Sequence, residues 1–346
     1  MRIRFAIEKT APPSSNGDRH VGSSLGTGRN TLNDLSSYST NELNFRSAKG
    51  ISLIFDTNAK AVEIVYVGGP ESAQVPPFFF FADPKFVATA AADFPRPFLA
   101  IEPADLGAAV AAGSSVTEEA ELYGRAILDE QPNGPFHLGG FCVTGLLAIE
   151  VAHWLLERGH DVNFLALVDT LHPAVCPPYT PDLKLTLGWQ LTQDPRVAET
   201  ADQLEKRRRQ GPLSNAEIVR RLRPVIAGAS HHLLGAEPDD LEDDERDEIT
   251  DRFTAYLYQA LTSWTYTGRP YDGELTFIAN RTGFTPDGLG GDGLACSEAL
   301  WRELARGGLI HVNVNNDDQK CPHMTMLESA TVPGYLRERL TPGAAS

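Results

Sequence analysis

The stretch "GPFHLGGFCVTGLLAIEVAHWLLERG", residues 134–159, limits the possible folds more than any other part of this chain. It reads as a short apolar strand, "FHLGGF", a tight turn holding Cys142, and a helix from Gly145 to Arg158 that stops at Gly159. A strand that passes directly into a helix must find its next partner strand by a crossover, which gives parallel pairing with the helix laid on the sheet. The following apolar run, "NFLALVD" at 163–169, supplies that partner.

The same alternation extends to both sides. "FFFF" (78–81) and "RPFLAIEP" (96–103) read as buried strands, and "SVTEEAELYGRAILDEQ" (115–131) as a helix capped by Ser115 or Thr117. After a gap the pattern resumes with "ELTFIAN" (274–280), a helix near "SEALWRELARGG", the strand "LIHVNVNN" and a last helix after Pro333. Short apolar strands separated by helices imply an α/β fold with a mostly parallel sheet covered on both faces. The gap, about 175–265, holds several helical patterns, including "ITDRFTAYLYQALTSW" at 249–264, and is expected to be a helical lid inserted between sheet strands.

Residues 1–75 have a different texture. "RIRFAIE" alternates as a strand does, and "ISLIFDTNAKAVEIVYV" suggests a hairpin turning at Asp56, Thr57, Asn58 and Ala59. Between them lies a Ser-, Gly- and Asn-rich segment with little to bury. A β-rich extension over 1–75, followed by one domain over 76–340, is the expected organisation.

Composition removes several classes. A formal net charge of −16 argues against general nucleic-acid binding, which needs a basic face. The apolar runs fall well short of the ~20 residues that cross a bilayer, and "MRIRFAIEKTAPPSS" lacks the apolar run of a signal peptide. Cys142, Cys176, Cys296 and Cys321 have no paired metal-ligand spacing. Reduced thiols in a cytoplasmic protein, with no metal and no membrane partner, are therefore expected.

Strand, G-x-nucleophile-x-G and helix together make a nucleophile elbow, which holds a reactive atom on a sharp turn above the sheet. Here Gly140 takes the first small position, Thr144 stands at the second, and Gly145 follows. The helix N-terminus carries partial positive charge, which favours a thiolate, and the amide of Val143 points toward the oxyanion of a tetrahedral intermediate. An activated nucleophile also needs a base and an acid that orients it. Asp169 ends the strand one βα unit later, and His323, in "NNDDQKCPHMTML", follows the last predicted strand. Asp287 is the alternative acid, and Asp169 could instead serve only to cap a helix.

The block "QPNGPFHLGGFCVTGLLAIEVAHWLLERGHDVNFLALVDT", with "YDGELTFIAN", "LWRELARGGLIHVNV" and the late histidine, resembles the thioesterases of nonribosomal peptide and polyketide synthesis. The likeness covers about residues 75–340 and implies an α/β-hydrolase fold. It implies Cys142 as nucleophile in place of the usual serine, Asp169 as acid and His323 as base. No bound cofactor is implied, since the acyl substrate arrives as a thioester on the phosphopantetheine of a carrier protein. The H-x-G-G turn usual after the first core strand is replaced by "FADPKF", so the second oxyanion amide falls to Ala82 or Asp83; Pro84 has none to give.

A cysteine changes the energetics of the reaction. Its acyl-enzyme is itself a thioester, so taking an acyl group from a carrier thiol is nearly isoenergetic and the group stays transferable. Cysteine variants of the family resemble aminoacyl shuttles and cyclising release domains, so transfer to a thiol, an amine or an internal nucleophile is the expected reaction. A hydrolytic thioesterase, for editing or chain release, and a catalytically silent carrier-binding module are the alternatives. Lys206 to Arg209 with Arg220, Arg221 and Arg223 offer basic clusters that could meet an acidic carrier protein or simply face solvent.

Overall fold

The computed structural model describes residues 45–46, 51–54, 62–71, 74–103, 115–175, 183–234, 241–280, 291–314, 326–328 and 330–343. Strands β1 (Phe45–Arg46), β2 (Ile51–Ile54), β3 (Val62–Gly68), β4 (Phe78–Phe81), β5 (Phe98–Pro103), β6 (Phe136–Phe141), β7 (Val162–Val168), β8 (Leu275–Asn280) and β9 (Leu309–Val314) form one sheet. Its order is β1-β2-β3-β5-β4-β6-β7-β8-β9. From β5 to β9 every pairing is parallel, as the strand and helix alternation predicts.

The first three strands pair antiparallel with one another, and β3 pairs antiparallel with β5. The expected hairpin is thus present, with Asp56 to Ala59 outside the described residues, and it adds edge strands to the sheet. Hydrogen bonding of the sheet therefore crosses residue 75. The strand expected in "RIRFAIE" lies outside the described residues.

Why "FFFF" is a central strand is visible in its packing. Phe79 and Phe81 point to one face and Phe78 and Phe80 to the other, and all four are buried. Burial of each ring contributes roughly 1.5–3 kcal/mol relative to exposure. Helices α2 (Val116–Glu130) and α3 (Thr144–Leu156) share the first face with Trp301 of α9 (Gly291–Leu304). Helices α1 (Pro84–Ala91) and α10 (Thr331–Leu340) cover the second. The expected Ser115 cap of α2 is realised as a capping box with Glu118.

Between β7 and β8 the described chain is helical: α4 (Leu183–Thr192), α5 (Pro195–Gln210), α6 (Asn215–Ala229), α7 (His231–Leu234) and α8 (Asp243–Ser263). Leu187, Leu204, Leu222, Leu257 and their neighbours form a core separate from the two beside the sheet. Helix α8 faces both ways, since its apolar side enters that core while Glu248 and Arg252 reach the turn after β4.

Candidate active site

The site is built on the carboxyl ends of β4, β6 and β7. Parallel register sets Phe81 beside Gly140 and Phe141 beside Val168, so the turns after these strands lie side by side. Cys142 is the first residue past β6, and Asp169 the first past β7. Both have positive φ, 56° and 49°, and they are the only non-glycine residues with that conformation among the described residues. The left-handed region costs L-residues energy, and such strain is held where surrounding structure enforces it.

Two bonds enforce it here. The Cys142 amide donates to the Val168 carbonyl at 2.8 Å, and the Asp169 amide donates to the Ile278 carbonyl at 2.7 Å. Asp169 is fully buried, whereas Cys142 is partly open to solvent.

The elbow's small positions are explained by what a Cβ would meet. At Gly140 it would lie 2.7–2.8 Å from the backbone of Thr144 and Gly145. At Gly145 it would lie 2.0 Å from Thr170 Oγ1. The second small position is therefore Gly145, one residue later than the motif places it, and Thr144 has another task. Its hydroxyl, with one proton to share, lies 2.5 and 2.7 Å from the carbonyls of Phe81 and Phe141 and accepts from the Phe141 amide at 3.2 Å. One side chain thus ties the end of β4 to the elbow.

Val143 is the N-cap of α3, so its amide opens at the helix N-terminus beside Cys142. Ala82 is buried at the end of β4, and Asp83 caps α1 by accepting from the Lys85 amide at 2.8 Å. The structure thus gathers Cys142, Val143, Asp169, Ala82 and Asp83 at one sheet edge. His323 and Asp287 lie outside the described residues, as do Cys176 and Cys321. Among the described residues no group of His, Cys, Asp and Glu is arranged to hold a metal, and no helix is long and apolar enough to cross a membrane.

Two features escaped the sequence reading. The carboxylate of Asp83 is paired with Arg252 of α8, which also lies 3.7 Å from Glu102 at the end of β5. Burial, and after it the charge of Asp83, lift the Glu102 carboxyl to about 7, with Arg252 and Lys85 pulling down and Glu63 pushing up. Tyr256, one helical turn beyond Arg252, is 37% exposed. Desolvation of its hydroxyl, followed by the charge of nearby Cys142, pushes its phenol well above the ordinary range and keeps it a proton donor. The available signal was Arg252 and Tyr256 standing off the apolar stripe of 249, 253, 257 and 260 at a spacing of one turn.

Residues 89–214 match the family model described as the thioesterase domain. That match spans little more than a third of the chain, which over those residues is similar to this family. The chain is 34% identical over 119 residues to the non-reducing polyketide synthase stmB of Aspergillus ustus, covering 33% of this chain and 6% of that protein. It is 41% identical over 68 residues to the thioesterase pytI of Aspergillus terreus, covering 19% of this chain and 22% of that one. The chain thus spans only a small part of the synthases it matches. Among solved structures, the Vlm2 thioesterase domain with genetically encoded 2,3-diaminopropionic acid bound with a dodecadepsipeptide superposes with a TM-score of 0.51 at 16% identity, covering 82% of this chain and 98% of that one. The NocB thioesterase domain in covalent complex with a fluorophosphonate nocardicin G analog gives 0.50 at 16% identity, covering 82% and 100%. The described part of this chain has the α/β-hydrolase fold of these domains.

Proposed function

We propose that this chain takes an acyl, aminoacyl or peptidyl group from a carrier protein's phosphopantetheine thioester onto Cys142 and passes it to a thiol, an amine or a nucleophile within the same acyl chain. The observation that carries this reading is Cys142 itself, held at a φ of 56° between β6 and the N-terminus of α3, with buried Asp169 on the adjoining strand end. A buried structural thiol has no need of a strained, partly open position on such a turn.

In the proposed mechanism His323, oriented by Asp169, takes the Cys142 proton. The sulfur then attacks the thioester carbonyl carbon. The C=O π pair moves to oxygen, where the amides of Val143 and Ala82 receive the negative charge. As the carbonyl re-forms, the bond to the carrier sulfur breaks and the departing thiolate takes the proton from His323. One C–S bond has formed and one has broken, so the step is close to balanced and reversible. The second half repeats these moves with the acceptor as nucleophile. Thioesterase domains carry this out without a resident cofactor.

In the same reading, about 175–265 is the lid, 76–340 the domain and 1–75 an extension that supplies edge strands. The names of the relatives, polyketide synthases and a thioesterase, support a place in natural-product assembly. The test is intact-protein mass spectrometry after mixing with a panel of acyl and aminoacyl carrier thioesters, beside Cys142→Ala. The expected result is a mass gain that requires Cys142 and persists until an acceptor is added. Free acid released without any acceptor would favour hydrolysis instead. Normal transfer by Cys142→Ala would reject the assignment.

A further inference from the structure

Helix α8 lays a polar stripe along the ends of the sheet strands. Glu248, Arg252 and Tyr256 are spaced four residues apart, so they lie on one face with about 6 Å of rise between successive members. Lys85 meets Glu248 at 2.5 Å, and Arg252 pairs with Asp83. These contacts fix two points of the stripe on the turn that follows β4. The elbow after β6 is the neighbouring turn, and adjoining strands are spaced about 5 Å apart. Tyr256 is the next member of the stripe, one further helical turn along, and it lies within electrostatic reach of Cys142 on that elbow.

The turn itself calls for such a group. "FADPKF" leaves the Ala82 amide with a carboxylate, Asp83, directly after it and an amide-free proline after that, at the edge where the proposed reaction develops negative charge on the substrate. Arg252 offsets the charge of Asp83. Its guanidinium is held by that carboxylate, whereas a phenol O–H can donate to the substrate oxygen and its ring is rigid enough to aim it.

We propose that Tyr256 is a catalytic residue whose hydroxyl donates a hydrogen bond to the acyl oxygen as it becomes an oxyanion on Cys142, with Arg252 as the positioning residue that holds α8 in place. This rests on the reading of Cys142 as the acyl-bearing nucleophile. No proton leaves Tyr256 in the step. When the Cys142 sulfur bonds to the thioester carbon, the oxygen gains the π pair and accepts the phenol O–H. When the bond to the leaving sulfur breaks, the carbonyl re-forms and that hydrogen bond weakens.

Tyr256→Phe tests the assignment, since it removes only the hydroxyl from a side chain that is 37% exposed. Two rates are measured on wild type and variant: acylation of Cys142 by acetyl, hexanoyl and benzoyl thioesters of N-acetylcysteamine, and alkylation of Cys142 by iodoacetamide. Alkylation generates no oxyanion. The expected result is an acylation rate lowered on the order of 10²-fold, the scale of losing one oxyanion donor, with alkylation unchanged. Equal acylation of the two proteins would overturn the proposal. So would a parallel fall in both rates, which would mean that the phenol acts on the thiol or on access to it. A wild type that alkylates at Cys142 but accepts no acyl group from any thioester would remove the nucleophile reading, and this assignment with it.

Discussion

Thr144 and Cys142 show how much chemistry depends on single atoms in this turn. The motif asks for a small residue at position 144, and a threonine there reads from sequence as a defect. In the fold its hydroxyl serves two carbonyls and one amide, while Gly145 meets the steric demand. Thr144→Val keeps the shape and strands those groups, which costs about 1–3 kcal/mol. A lower melting temperature together with slower acylation of Cys142 is the expected outcome, and unchanged stability would contradict this role. Cys142→Ser makes a different prediction. Its acyl-enzyme is an oxygen ester, so return of the acyl group to a thiol becomes uphill. The ratio of hydrolysis to thiol transfer should rise well above that of wild type in a product assay that offers both water and a thiol acceptor.

At the scale of elements, α8 is the piece that links the separate helical core to the turn after β4, beside the elbow. Its apolar face was legible, because Phe253, Leu257 and Ala260 follow helical spacing. Its polar stripe was not. Partners such as Asp83 and Lys85 stand more than 160 residues away in the chain, and no local pattern records them. Helix α1 was missed for a related reason: its sequence, "PKFVATAA", is short and ambiguous, although Asp83 before Pro84 is a helix-start signal.

This junction also predicts a pH dependence. Glu102 is raised from its usual 4.5 to about 7 by burial first and by Asp83 second. A carboxyl with a raised value binds its proton more tightly in the folded state. Its contribution to stability is therefore complete below about 4.5 and is lost as pH rises through about 7. Glu102→Gln cannot lose it. The melting temperature of the variant should gain on wild type between pH 5 and 8, by an amount corresponding to no more than about 3 kcal/mol. Parallel curves across that range would contradict the account.

For the whole molecule, the alternation of apolar strands and helices was enough to give a parallel sheet covered on both faces. It did not give strand order. That β3 joins the sheet beside β5 depends on pairing between segments whose sequences carry no address for one another. The four phenylalanines of β4 unite the two faces, so Phe79→Ala and Phe80→Ala should each cost about 3–5 kcal/mol although they empty opposite cores. Urea melts should show similar losses in midpoint for both. An effect confined to one would mean that the two cores are not equally dependent on this strand. Around this frame the placement of Cys142, Val143 and Asp169 side by side was readable because an elbow sets them at consecutive strand ends, whereas Tyr256 stands on a helix of the inserted region that no local pattern links to them.

The central claim is that Cys142 carries the acyl group as a thioester, and peptide mapping of the acylated protein tests it most directly. After brief reaction with an acyl carrier thioester and an acid quench, peptic digestion should place the added mass on the peptide containing Cys142. Neutral hydroxylamine should then release it rapidly, as it does a thioester. An adduct on another residue, or one on this peptide that resists hydroxylamine, would contradict the account.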